Sequence, residues 1–139
     1  MVTIDDVEAL VTELPAVGEG TSYGNRCWVV ASKNFAWIRP FSKADVKRFG
    51  DAPVPSGPIL AVRVEDLMEK DVVLDEGRPG FFTIPHFDGY AAVLIQLDAA
   101  DAADVEEAIV GAWLAMAPRE LADEYLRSRG SDRPRSDAD

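Results

Sequence analysis

Arg26-Cys27-Trp28-Val29-Val30-Ala31, then Ser32-Lys33-Asn34, then Phe35-Ala36-Trp37-Ile38-Arg39: the architecture of the chain turns on this stretch. The first six residues form an apolar, valine-rich run of the strand type. The next three are turn formers, and the last five are apolar and aromatic again, so the stretch reads as a β-hairpin. Side chains alternate across a strand, which puts Phe35 and Trp37 on one face and Ala36 and Ile38 on the other. Both faces are then apolar. A fold with one helical layer covers only one of them, so Phe35 and Trp37 are expected either to be exposed or to be covered by some other segment.

The N-terminal side of the hairpin is helical. Ile4, Val7, Leu10, Val11 and Leu14 repeat at spacings of three and four, Thr3 is a fitting N-cap, and Pro15 ends the run. Residues 18–24 are rich in turn formers. On the C-terminal side, residues 42–49 have the pattern of a short helix, and residues 51–58 contain three prolines and a glycine that require a loop. Residues 59–64 read as a strand, and residues 65–74 as a short helix with Leu67 and Met68 turned inward. Residues 81–84 and 91–97 read as two further strands. A helix starting near Asp101 carries Val105, Ala108, Ile109, Ala112, Trp113 and Met116 on one stripe. Pro118 breaks it and permits another turn bearing Leu121, Tyr125 and Leu126. The order α-βββ-α-ββ-α predicts an α+β fold, a two-layer sandwich of about five antiparallel strands with helices on one face. Residues 1–126 form one domain, and residues 127–139, polar and rich in Ser, Asp and Arg, are expected to be a disordered tail.

The chain has 139 residues, enough for one domain with a core of its own. Its single cysteine, Cys27, allows no intramolecular disulfide and sits in an apolar run, as a buried small hydrophobe does. The first six residues are acidic with no positively charged leader, and no apolar run approaches the length of a membrane span, so a cytoplasmic protein is expected. The formal net charge is −11, the wrong sign for a general nucleic-acid binder. The distribution matters more than the total. Residues 26–48 hold six basic side chains and one acidic, net +5; the rest of the chain holds eight basic and 24 acidic, net −16. Trp28, Phe35, Trp37, Phe41 and Phe49 are interleaved with these cations, the raw material of a surface that stacks on bases and meets phosphate.

Motifs for catalysis are absent or fail on context. Gly20-Thr21-Ser22-Tyr23-Gly24 matches G-x-S-x-G, but a nucleophile elbow needs a strand before it and a helix after, and here the order is reversed. His86 is the only histidine, which restricts acid–base and zinc chemistry. There is no phosphate-binding glycine loop, dinucleotide fingerprint or EF-hand. Asp101 and Asp104 suit a helix N-terminus without a metal. Asp5 with Glu8 and Asp6 with Glu13 line exposed flanks of the first helix and leave open a weak cation site. No catalytic residue, cofactor or dedicated metal centre is expected.

Several segments taken in order resemble the MmcQ/YjbR family of small bacterial proteins. They are Leu14-Pro15, Glu19-Gly20-Thr21-Ser22-Tyr23-Gly24, Phe35-Ala36-Trp37-Ile38 and Val62-Arg63-Val64. Farther on come Phe81-Phe82, Pro85-His86-Phe87-Asp88-Gly89-Tyr90, Val93-Leu94-Ile95, Ala112-Trp113 and Ala117-Pro118-Arg119. The resemblance implies a two-layer α+β fold of frataxin-like shape, DNA binding through a "double wing" of hairpins, and no characteristic enzymatic activity. On this chain the wings are the residue 28–37 hairpin, tipped by Lys33, and the residue 84–90 connection. The second wing reads His86-Phe87-Asp88-Gly89-Tyr90-Ala91-Ala92, where many relatives carry a His-x-Asn-Lys-x-x-Trp-like run.

Two sets of candidates follow. For weak, salt-dependent DNA binding they are Arg26, Lys33, Arg39, Lys43, Lys47 and Arg48. For a protein or small-ligand surface on the apolar sheet face they are Trp28, Phe35, Trp37, His86 and Tyr90. A membrane partner is not expected.

Overall fold

The computed structural model describes residues 2–132. Helix α1 (Ile4–Thr12) starts at a reciprocal cap: the Thr3 hydroxyl accepts from the Asp6 amide, and the Asp6 carboxylate accepts from the Thr3 amide. Val7 and Val11 of this helix are fully buried.

Six strands form one sheet in the order β1-β2-β3-β4-β6-β5, with every neighbouring pair antiparallel. They are β1 (Val17–Ser22), β2 (Asn25–Val30), β3 (Lys33–Ile38), β4 (Ile59–Arg63), β5 (Phe81–Phe82) and β6 (Ala92–Gln96). The α+β class and antiparallel sheet agree with the sequence pattern, with one strand more than expected. That strand is β1, whose residues read as a turn. Val-Gly-Glu-Gly-Thr-Ser has two glycines and one large apolar side chain, and it is an edge strand with little buried surface. Its conformation comes from pairing along the whole of β2, from Val17 opposite Val30 to Ser22 opposite Asn25. Both hairpins close through two-residue turns with positive φ, Tyr23-Gly24 and Ala31-Ser32.

Strict alternation fails inside β3. Trp28 lies opposite Ala36 and Val29 opposite Asn34, so Phe35 is an extra residue, a β-bulge. Phe35 and Ala36 therefore both join the main core, with Trp28, Val30, Leu60, Val62, Val93 and Ile95. Trp37 turns to the other face. The expectation that Phe35 and Trp37 share a face is thus corrected, and the cause is one inserted residue.

Most helices lie on the main-core face. Helix α4 (Ala102–Met116) buries Val105, Ile109, Ala112 and Trp113 there, and α1 packs against it. In α3 (Leu67–Asp75) the phase differs from the expected one: Leu67 and Met68 are exposed, Val73 and Leu74 reach the core, and the buried residue is Lys70. Helix α5 (Arg119–Asp132) continues past residue 127, where a disordered tail was expected to begin. Arg119 and Asp123, one turn apart, pair across it. Residues 133–139 lie outside the described residues.

The second sheet face is covered by connections, which answers the question raised by its apolar residues. Ile59, Ala61, Ala92 and Leu94 pack with Ile84 and Phe87 around the 3₁₀ turn Pro85–Phe87. Trp37, Phe41, Phe49 and Phe82 close this smaller cluster. Phe49 caps the short helix α2 (Lys43–Arg48). No described helix is long and apolar enough to cross a membrane.

Candidate functional site: an aromatic groove on the second sheet face

Beside the smaller cluster runs an open groove of about 750 Å³, a volume within the range of small-molecule sites. Four parts of the chain build it. The β1–β2 turn and the strand ends beside it contribute Ser22, Tyr23 and Asn25; β3 contributes Asn34, Trp37 and Ile38; the segment after it contributes Arg39, Pro40 and Ser42; and the 3₁₀ turn with its exit contributes His86, Phe87 and Tyr90. The bulge aims Trp37 into this space. Its ring lies 6.3 Å from Tyr90 and 6.5 Å from Phe87, while Phe87 and Tyr90 meet edge to face at 5.4 Å and His86 stands 6.2 Å from Phe87. Tyr23, at the hairpin tip, is wholly exposed.

Two guanidinium groups flank the rings. Arg39 lies over Phe87 at 5.6 Å and Arg63 over Tyr90 at 5.1 Å. Arg39 is itself held: it donates to the Pro40 carbonyl and meets the Asp45 carboxylate at 3.0 Å. Asp45 is buried at the first turn of α2, where it accepts from the Ser42 amide and its own amide donates to the Ser42 hydroxyl. Burial pushes its pKa up, but the Ser42 hydrogen bonds and Arg39 outweigh that and hold the carboxyl below the usual carboxylate range. The Arg39–Asp45 pair thus ties the end of β3 to α2 at the mouth of the groove.

The six candidate cations divide into held and free. Arg26 is clamped between Glu19 at 2.8 Å and Glu8 at 3.2 Å, and lies over the Trp28 ring at 5.3 Å. The hydrogen bonds it donates to Glu19 and Glu8 push its pKa up. Arg39 is paired as described, and Arg48 lies 3.9 Å from Asp45. Lys33, Lys43 and Lys47 are exposed and make no ion pair with a described residue. Lys33 precedes Asn34 of the groove by one residue, and Lys43 follows Ser42 by one.

The five candidates for a ligand surface divide as well. Trp37, His86 and Tyr90 converge on the groove. Trp28 and Phe35 do not: they are 1% and 0% exposed and belong to the main core. As surface residues they are corrected. Phe35 is turned inward by the bulge, and Trp28, directly opposite Ala36, faces the same core.

Of the acidic row of α1, Asp6 caps its own helix and Glu8 is bound to Arg26. Among the described residues no cluster of three or more His, Cys, Asp or Glu could hold a metal ion. Ser22 and His86 share the groove, but no hydrogen bond joins them, and Ser22 ends a strand that turns into another strand rather than into a helix as an elbow requires. Phe87, Asn25, Asn34 and Arg63 were missed at the sequence level. Phe87 had a signal, being apolar within a polar connection. The two asparagines resemble any turn residues and carried none.

Comparison with known proteins places the chain. The uncharacterized proteins Rv2570 and MT2646 of two Mycobacterium tuberculosis strains, and Mb2600 of Mycobacterium bovis, are each 41% identical to it over 133 residues, 94% of this chain and 100% of theirs. The chain belongs to their family. A match of that length takes in every groove residue of this family member. No family model matches it. Among solved structures, the Deinococcus radiodurans protein DR2400, which carries the family-model domain DUF419, superposes with a TM-score of 0.58. The match covers 94% of this chain and 89% of that one at 18% identity, so the two share a fold.

Proposed function

We propose that the chain is a non-catalytic, cytoplasmic nucleic-acid-binding protein of the MmcQ/YjbR type, and that it meets single-stranded DNA at the aromatic groove. DUF419, the domain of the fold relative DR2400, is related to that family. The observation that carries the reading is the convergence of Trp37, Tyr90 and His86 on one groove, with Lys33 and Lys43 adjoining its residues Asn34 and Ser42. Base stacking on such rings is worth about 1–3 kcal/mol per base and tolerates any sequence. Lysines free of carboxylates can release counterions from phosphate, whereas the clamped Arg26 cannot without breaking two ion pairs. The strongly acidic remainder of the molecule repels the backbone elsewhere, so docking is confined to one orientation and affinity is weak and salt-dependent.

The test is fluorescence polarisation with labelled single-stranded and duplex DNA at about 50 and 200 mM salt. The single strand is expected to bind more tightly than the duplex, to weaken steeply with salt, and to lose affinity in the Lys33→Glu, Lys43→Glu double variant. Absence of binding at the lower salt, or indifference to the double variant, overturns the reading. A second reading, a small planar ligand in the same groove, is favoured by the groove's volume. It predicts binding of mononucleotides with little salt dependence.

A further inference from the structure

Lys70 is the one buried lysine among the described residues, 6% exposed. It sits on α3, in the row that continues to Val73 and Leu74 in the main core. Its ammonium crosses to the groove wall, donating to the Phe87 carbonyl at 2.6 Å and to the Tyr90 carbonyl at 2.9 Å. These are the two residues whose rings face Trp37.

Besides ring packing on the smaller cluster and under Arg39 and Arg63, the wall has few other hydrogen-bonded ties. Within it, the Phe87, Asp88 and Tyr90 amides close only short local turns on Ile84, Pro85 and Phe87. From outside, the Val64 amide and the Arg63 side chain hold Ala91, beyond the rings. Gly89, at φ +75°, lies between the two ring-bearing residues and gives the turn freedom. An ammonium bound to both Phe87 and Tyr90 removes that freedom, because the two carbonyls are fixed relative to one point on α3. Lysine is well suited to such a tie, since its flexible apolar stem passes through packed surroundings and its head offers three donors in directions set by rotation. The charged groups that bear on it are the Asp88 carboxylate of the wall and Asp71 of its own helix, while burial lowers its pKa.

We infer that Lys70 is a positioning residue for the groove, holding the Phe87 and Tyr90 rings at their working distance from Trp37 without touching the ligand itself. This rests on the groove's being the binding site. The test compares wild type with Lys70→Met and Lys70→Gln in the full chain. Trp28 and Trp113 are 1% and 0% exposed, so acrylamide quenching of tryptophan fluorescence reports mainly on part-exposed Trp37.

In the methionine variant the quenching constant is expected to rise at least about twofold, and amide exchange at residues 87–92 at least about tenfold, with α4 protection unchanged. The glutamine variant, which can still reach a carbonyl, is expected to fall between. Affinity for a labelled single-stranded oligonucleotide should follow the same order. If the methionine variant does not fold, the glutamine variant judged by exchange alone decides. Unchanged quenching and exchange in a folded variant overturn the inference, as does a loss of protection spread evenly over the molecule. If the wild-type protein binds no oligonucleotide, the nucleic-acid reading falls while quenching and exchange still judge Lys70.

Discussion

Phe35 and Ala36, neighbours in β3, face the same core, because the strand takes in one extra residue opposite the Trp28–Val29 step of β2. The same insertion sends Trp37 to the opposite face and makes it part of the groove. The two aromatic rings therefore have separable roles. Phe35→Ala removes a fully buried ring and is expected to cost about 3–5 kcal/mol in urea denaturation. Trp37→Ala should cost clearly less stability, yet lower oligonucleotide affinity. Equal destabilisation by both, with binding unchanged in the folded Trp37 variant, would contradict the assignment.

Which parts of this were legible in the sequence follows from what each depends on. Periodicity gave the helices α1 and α4, because long apolar stripes are set locally and confirmed by packing. It failed for α3, where Leu67 and Met68 look like core residues and Lys70 like a surface one. Only Val73 and Leu74 carried the correct phase. It also failed at β1, whose glycine-rich residues extend because β2 offers a partner. The groove was half visible: Trp37, His86 and Tyr90 were candidates, but nothing along the chain could say that Trp28 and Phe35 point away from them. A one-residue bulge reverses every inference from alternation beyond it.

Charge followed the same rule. The net +5 of residues 26–48 was correct as a count, but three of the six cations are held by carboxylates, and for Arg26 and Arg39 those carboxylates lie on other elements that sequence spacing alone did not connect to them. Arg26→Gln is accordingly expected to leave oligonucleotide affinity within about twofold of wild type and to cost at most about 1 kcal/mol of stability, since its ion pairs are partly exposed. The Lys33→Glu, Lys43→Glu variant is expected to lose about tenfold or more and to reduce the salt slope by about two. Polarisation titrations of both variants at matched salt separate held from free cations. A larger loss from Arg26→Gln would mean that its ion pairs open on binding.

Asp45 gives the protein an acid-sensitive joint. Its folded pKa lies below the ordinary value of 3.8, so the unfolded chain binds a proton more readily than the folded one as pH falls. The stability it contributes is fully present above about 3.8 and is lost as pH drops through the folded pKa. Asp45→Asn removes one partner of a buried pair and is expected to cost about 3 kcal/mol at pH 7. The difference between wild type and variant should shrink below pH 3.8, read from denaturation curves at about pH 7, 5 and 3. A difference that stays constant across this range would show that the carboxylate's charge is not what holds Arg39.

Positive φ falls on a glycine at some positions and on a residue with a side chain at others, and this yields an opposite pair of stability changes. The β1–β2 turn places Gly24 at φ +80°, whereas the β2–β3 turn holds Ala31 at +50° and Ser32 at +67°, where an L side chain crowds its own backbone. Replacing Ser32 by Gly, with Ala31→Asn, converts the turn to the Asn-Gly pair that this geometry favours. Relief of the strain outweighs the added freedom of the unfolded chain, so a gain of about 1 kcal/mol is expected. Gly80 is the reverse case. At φ +85° it lies where β5 meets β6, its carbonyl accepts from the Gln96 amide, and a Cβ there would stand 2.7 Å from the Gln96 carbonyl oxygen. That neighbour is backbone and cannot swing aside, so Gly80→Ala must part the strands or lose the hydrogen bond. A cost of at least about 2 kcal/mol is expected. β5 carries Phe82 into the smaller cluster beside the groove, so the same variant should also raise acrylamide quenching of Trp37. Thermal melts of the two variants beside wild type, shifted in opposite directions, are the expected result; a neutral Gly80→Ala would mean that β5 is not held at this register.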